Sequence, residues 1–207
     1  NRVSFREYKT ILEPSCGSGE FLDHLKGDVT GIELNETIYD KLVEYQNIIN
    51  TDFLTYKENL FDLIIGNPPY VVIKGRSNLF VEFISHSLTL LNTDGVMAFI
   101  IPKSFMNSIY YQKTRQNIIE NYKVVSIIDY SSKEFIDTNQ SIMGLVVQNC
   151  KPMYSPHIFG TNFILKPIDK GDTTLEKMGL KVRTGKLVWN QHKCKMAETG
   201  KFIIPIL

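Results

Sequence analysis

The run Phe61-Asp62-Leu63-Ile64-Ile65-Gly66-Asn67-Pro68-Pro69-Tyr70 leaves the chain few choices. Leu63, Ile64 and Ile65 form an apolar run of strand length, bounded by Gly66 and two prolines. Pro68 restricts Asn67 to an extended backbone. Both prolines fix their own φ and offer carbonyls without an N–H. The reading is a short buried strand that ends in a stiff turn. That turn carries two acceptors, the Asn67 side-chain oxygen and the Pro68 carbonyl, and the flat ring of Tyr70. Such a set suits a planar group bearing an exocyclic NH₂. Taken alone, it reads almost as well as a proline-rich turn leaving a core strand.

The upstream chain gives the turn its weight. Tyr8–Glu13 reads as a first strand, followed by Pro14-Ser15-Cys16-Gly17-Ser18-Gly19 and a helix expected to begin near Gly19. Small residues between a strand and a helix let backbone N–H groups approach a ligand closely. Glycine turns are common in α/β folds, so Gly17 and Gly19 do not decide the ligand. The pattern is neither the Gly-Lys-Ser/Thr phosphate loop nor the three-glycine dinucleotide fingerprint. Val29–Glu33 reads as a second strand. Glu33 stands where nucleotide-binding βαβ units place a carboxylate on ribose hydroxyls, and an exposed strand-end acid is an equal reading. A helix is expected over Glu36–Gln46, then a third strand ending at Thr51-Asp52-Phe53-Leu54. Asp52 could accept from an adenine amino group with Phe53 packed on the ring, or it could start a turn before a core phenylalanine.

Three strands thus end in small or acidic residues, and a fourth ends in Asn67–Tyr70. In doubly wound sheets ligands bind outside the carboxyl ends of the strands, so the four candidate sites converge on one edge. Composition narrows the rest. The net charge of +1 gives no overall nucleic-acid signal, so any basic surface is local. Three widely spaced cysteines and four histidines show no metal-ligand spacing and no disulfide framework. A reduced, cytoplasmic setting without a membrane span is expected.

In this order, Pro14–Gly19, Gly31-Ile32-Glu33, Asp52-Phe53 and Asn67–Tyr70 resemble the motifs of class I S-adenosylmethionine-dependent DNA methyltransferases. The resemblance is strongest to the gamma-class adenine-N6 enzymes of restriction–modification systems, and it covers about three-quarters of the chain. It implies an α/β fold, a doubly wound, mainly parallel seven-stranded Rossmann-like sheet. The cofactor it implies is S-adenosyl-L-methionine. Glu33 and its neighbour Leu34 would lie at the ribose, Asp52 and Phe53 at the adenine, and the Glu13-Pro14-Ser15-Cys16-Gly17 turn with Gly19 at the methionine part. Asn67, Pro68, Pro69 and Tyr70 would hold the target base, with Asn67 also near the cofactor.

The following segments fit. Asn78–Leu91 carries an apolar helical stripe in which Phe80 and Phe83 read as core. Thr93-Asp94-Gly95 turns into a buried strand, Val96–Ile101, ended by Pro102, and Pro102–Phe105 is similar to a family Pro-x-Ser-Phe segment. Ser108–Asn121 reads as an amphipathic helix with Lys113 and Arg115 on its solvated face, contact with DNA phosphate being the lesser reading. Val124–Tyr130 and Ile142–Val147 are expected to close the sheet as an antiparallel pair. In the loop between them, Phe135 matches the family's aromatic residue beside the flipped base, and a core or lid role is an equal reading.

From Lys151 the character changes, and prolines and glycines break regular structure. The expectation is a catalytic domain over 1–150 and the beginning of a target-recognition domain over 151–207. Lys166 to Lys201 holds nine Lys/Arg against four Asp/Glu. Lys186, Trp189, Asn190 and Lys193 interleave basic, aromatic and amide groups suited to phosphates and base edges; a solvated surface anchored by Trp189 is the other reading. The implied partner is double-stranded DNA with a specific adenine site, and a nuclease or specificity subunit is a further expected partner. Asn1–Glu7 is too short for the family's further cofactor motif, so the chain is expected to be part of a longer enzyme. Two alternatives stand beside DNA methylation: transfer to protein glutamine or an RNA base through the same tetrapeptide, or a non-catalytic DNA-binding or assembly module.

Overall fold

Each apolar run anticipated above forms a strand, and the order of the strands follows from their connections. The computed structural model describes residues 8–42, 44–45, 47–72, 78–130, 141–166, 177 and 179. The strands are Thr10–Glu13 (β1), Asp28–Glu33 (β2), Ile48–Asn50 (β3), Phe61–Gly66 (β4), Leu91–Pro102 (β5), Lys123–Asp129 (β6) and Ile142–Gln148 (β7). They make one seven-stranded sheet in the order β3-β2-β1-β4-β5-β7-β6. The first five lie parallel, and β7 is inserted antiparallel between β5 and β6. The order in which strands are added reverses between β1 and β4, and sheets of this type bind ligands at such a switch point. The expected mainly parallel sheet is therefore present.

β1 and β4 pair through Ile11 with Leu63 and Leu12 with Ile64. Leu12, Ile64, Met97 and Ile101 are buried, as their near-continuous apolar runs require for strands covered on both faces. Leu79–Thr89 (α2) lays Phe80, Phe83, Ile84 and Leu88 on this core. Their spacing forms one helical face, and each such burial contributes roughly 1.5–3 kcal/mol. Asp94 adopts φ +62°, which confirms the turn before the buried half of β5.

Two expected helices are largely absent. Gly19 has φ +89°, outside the helical region, and a single 3₁₀ turn, Leu22–His24, follows it. Glu36–Tyr39 (α1) makes one α turn, started by Asn35, whose Oδ1 accepts from the Ile38 N–H. Beyond it the bonds shorten to three-residue turns, Tyr39 to Leu42 and Leu42 to Tyr45. Leu42 packs with Cys16 and Leu22, and the Tyr45 hydroxyl donates to Asp23. Tertiary anchoring overrides the helical pattern there.

The segment Ser108–Asn121 divides into a 3₁₀ turn, Ile109–Tyr111, and a helix, Gln112–Asn121 (α3). Arg115 does not face solvent as expected: its side chain is buried. Its Nε donates to the Thr161 carbonyl at 2.8 Å, and Nη1 to the Phe105 and Ser108 carbonyls at 2.9 and 2.8 Å. Nη2 donates to Asn162 Oδ1 at 3.2 Å. The acceptors come from the 103–108 segment and from the hairpin of Ile158–Phe159 (β8) and Asn162–Phe163 (β9). That hairpin belongs to the first of two compact units, 1–169 and 170–207. The first unit thus runs past the boundary expected near Lys151, because Arg115 and the burial of Phe163 tie the hairpin to α3 and the core. No helix among the described residues is long and apolar enough to cross a membrane.

Candidate functional site

Four strand ends meet at the carboxyl edge of the sheet, around a cavity of about 390 Å³. The turn after β1 contributes Pro14, Ser15 and Gly17. Gly17 has φ +52°, and a Cβ there would meet open space, so its backbone is both glycine-favouring and accessible. The turn is held from below. The Cys16 N–H donates to the Ile32 carbonyl at 3.0 Å, and the Gly19 N–H to the Cys16 carbonyl at 2.8 Å. The Cys16 side chain points into a buried cluster with Leu22 and Leu42, and burial beside Glu13 and Glu33 pushes its thiol up to about 12. Neither Cys16 nor Gly19 lines the cavity; their part is to shape the turn.

Glu33 and Leu34 form the next wall. Glu33 ends β2 nearly buried, and both carboxylate oxygens are fixed by backbone donors. Gly17 N–H donates to Oε2 at 2.9 Å, and Asn35 N–H to Oε1 at 2.7 Å. A carboxylate offers about four acceptor positions, so it is oriented and still able to take a diol. Asn50, which the sequence did not single out, donates through Nδ2 to the Glu33 and Leu34 carbonyls at 2.8 and 3.2 Å. Leu34 stands 68% exposed and gives the cavity an apolar wall.

The third wall follows β3. Asp52 Oδ1 caps the 3₁₀ turn Phe53–Thr55 by accepting from the Leu54 N–H at 2.9 Å. Asp52 starts a turn, as one sequence reading has it, and it also lines the cavity. Phe53 is buried against Phe83 at 4.8 Å and His86 at 4.9 Å between ring centroids. Thr51, Leu79 and Phe83 complete the apolar floor. Phe83 read as core from its place in the helical stripe, and it serves both roles because the stripe passes beneath the cavity.

Asn67 and Pro69 lie on the remaining side. The Ser15 hydroxyl donates to the Asn67 carbonyl at 3.3 Å, tying the first turn to the fourth strand end. Asn67 is exposed and Pro68 is buried. Tyr70 differs from a ring standing free for stacking. It is half-buried, edge-on to Phe80 at 6.1 Å, and its hydroxyl lies 2.5 Å from Asn67 Oδ1 and 2.9 Å from the Ile100 carbonyl. Burial pushes that hydroxyl up to about 12.

Glu13 sits behind the first turn. It is 1% exposed, and its Oε2 is buried with no hydrogen-bond partner. Burial, with Glu20 nearby, pushes its carboxyl up to about 8. An unpaired buried carboxyl is costly unless a cation or donor completes it. The donor set therefore fits S-adenosylmethionine, with a carboxylate for the ribose diol, an acid and apolar walls for the adenine, and an unsatisfied carboxyl beside the turn for a cationic amino group. No cluster with metal-binding potential occurs among the described residues. Phe135, Lys186, Trp189, Asn190 and Lys193 lie outside the described residues.

Comparison with known proteins accords with this geometry. The family profile described as Eco57I restriction-modification methylase matches residues 15–135. The modification methylase CviBIII of Paramecium bursaria Chlorella virus NC1A is 35% identical over 199 residues, covering 85% of this chain and 52% of its own. The type II methyltransferase M.CvrRI of Paramecium bursaria Chlorella virus XZ-6E is 31% identical over 177 residues, covering 75% of this chain and 47% of its own. The chain thus spans about half the length of these relatives. A type I restriction-modification methyltransferase subunit from Streptococcus thermophilus shares the fold, with TM-score 0.56 at 19% identity over 76% of this chain and 45% of that one. With its cofactor cavity walled by the same segments that the family profile spans, the chain belongs to the Eco57I restriction-modification methylase family, on the class I S-adenosylmethionine-dependent methyltransferase fold.

Proposed function

We propose that this chain carries the catalytic site of a DNA methyltransferase that acts on the N6 amino group of an adenine turned out of the duplex. The observation that carries the reading is the position of Asn67. Asn67 is exposed just past the end of β4 and lines the same cavity as Glu33 and Asp52. When bound, S-adenosylmethionine supplies an electrophilic methyl group on a sulfonium.

The chain's own residues do the rest by placement. The N6 lone pair of adenine is delocalised into the ring, which makes it a poor nucleophile. Asn67 Oδ1 and the Pro68 carbonyl accept the two N6 hydrogens, draw the nitrogen toward tetrahedral geometry and localise that pair. The same acceptors would stabilise the positive charge that develops on nitrogen as it takes up the methyl group. Pro68 and the Ser15 hydroxyl hold the Asn67 backbone, so reorganisation is small. Turning the base out of the stack is what admits it to such a site. Phe135 is the proposed second aromatic against the base. The basic stretch with Lys186, Trp189, Asn190 and Lys193 is the proposed start of DNA recognition over 151–207, and a nuclease or specificity subunit is the proposed partner. Cytosine-C5 chemistry needs a nucleophilic thiol at the base, and Cys16 is buried beneath the cofactor turn instead.

Calorimetric titration with S-adenosylmethionine and radiolabelled methyl transfer to adenine-containing duplexes test the proposal. Binding at micromolar concentration is expected, lost in Glu33→Ala. Asn67→Ala is expected to lower transfer by ~10²–10³-fold, the range for loss of one such polar contact, with cofactor affinity nearly unchanged. Equal loss of transfer and binding in Asn67→Ala would remove its assigned role. Transfer to a glutamine-bearing protein or to RNA in preference to the duplex would reassign the substrate.

A further inference from the structure

A tyrosine used only for its ring needs no hydroxyl, and a hydroxyl taken half out of water needs partners. Tyr70 has two. Its oxygen lies 2.5 Å from Asn67 Oδ1 and 2.9 Å from the Ile100 carbonyl. A phenol has one hydrogen, so it can serve only one of these acceptors fully at a time.

The surroundings leave little else free to move. The Tyr70 ring stands edge-on to Phe80 at 86°, and Phe80 is itself fully buried between Phe105 and Tyr111. Ile100 lies in β5, which is paired with β7 through Ile100 and Gly144. The Asn67 backbone is confined by Pro68 and bonded to Ser15. What remains soft is the Asn67 amide torsion, which is broad and roughly two-fold in asparagine. Its direction matters chemically. Turned one way, the amide offers Oδ1 to an amino group; turned the other, it sets NH₂ against NH₂.

We propose that Tyr70 is a positioning residue: its hydroxyl holds Asn67 Oδ1 in the accepting direction in the free protein and passes its hydrogen to the Ile100 carbonyl when a substrate amino group takes Oδ1. The proposal rests on the reading of Asn67 as the acceptor of the substrate amino group. The phenol exchanges one acceptor for the other while the substrate N–H takes its place at Oδ1, and no proton leaves the phenol.

Tyr70→Phe separates this role from stacking, because the ring stays. In the full chain, the single-turnover rate of methyl transfer to an adenine-containing duplex is expected to fall by about tenfold, the worth of one hydrogen bond. KM for the duplex, affinity for S-adenosylmethionine and the melting temperature should stay as they were. Relaxation of the isotope-labelled Asn67 side-chain amide should report a looser group in Tyr70→Phe than in the unsubstituted chain. A full rate with an equally rigid amide would overturn the proposal. So would a loss of rate matched by loss of cofactor affinity and melting temperature, which is the mark of a merely structural hydroxyl. If the unsubstituted chain transfers no methyl group, the reading of Asn67 fails. The amide relaxation still decides whether the hydroxyl is a tether.

Discussion

Glu13 shows how a single residue can be legible in kind and not in state. The family resemblance assigned it to the cofactor turn, but only the packed structure buries it and leaves Oε2 without a partner. Burial raises its carboxyl to about 8, which favours the protonated form at neutral pH in the free protein. A bound cationic amino group favours the ionised form, so cofactor binding should release up to one proton between about pH 5 and 8, and affinity should rise with pH across that window. Above about pH 8 the carboxyl is already ionised and the release ends. Titrations in buffers of different ionisation enthalpy measure this directly, and Glu13→Gln should abolish the buffer dependence. The same shift opposes folding. A folded pKa raised above the unfolded one destabilises the protein as pH rises from about 4.5 toward 8, so Glu13→Gln should raise the melting temperature of the free protein at pH 8 more than at pH 5. Glu33, Asp52 and Asn67 were legible as residues of the cavity edge because each sits at or just past a strand end. Asn50 and Phe83 were not singled out for the site. An asparagine near a strand end has many uses, and a phenylalanine in a helical stripe reads as core.

At the scale of elements, strands were more legible than helices. Apolar runs bounded by glycine, proline and acids are short-range signals, and all seven gave strands in the sheet. The helices expected after Gly19 and over Glu36–Gln46 shrank because a positive φ at Gly19 and the anchoring of Leu42 and Tyr45 are set by contacts distant in sequence. Arg115 was misplaced for a related reason. On a helix it reads as solvated, yet it lies under a hairpin that begins 43 residues later, at Ile158. Its guanidinium satisfies the carbonyls of Phe105, Ser108 and Thr161 and the Asn162 side chain. Arg115→Ala should cost about 3 kcal/mol, since truncation leaves several acceptors unpaired in place of one lost contact. Urea unfolding monitored by circular dichroism measures it. Arg115→Lys should recover only part of the loss, because an ammonium lacks the planar fork that reaches both segments.

For the molecule as a whole, the chain carries a net charge of only +1, but the stretch from Lys166 to Lys201 holds nine basic residues against four acidic. The first compact unit, 1–169, contains all the described residues that line the cavity. A chain ending at residue 169 should therefore bind S-adenosylmethionine as tightly as the full chain, while its affinity for duplex DNA falls by about tenfold or more and loses much of its salt dependence. Retained DNA affinity in the shortened chain would place the DNA-binding surface in the first unit instead. The sequence by itself determined the fold class and the placing of Glu33, Asp52 and Asn67 at strand ends on one sheet edge. Those properties depend on local periodicity and on residues at strand ends. The tertiary structure alone decided that Glu13 is an unpaired buried carboxyl, that Arg115 ties a hairpin to the core and that the Tyr70 hydroxyl meets Asn67 and Ile100 together. Each of these depends on desolvation or on partners brought close only when the chain packs.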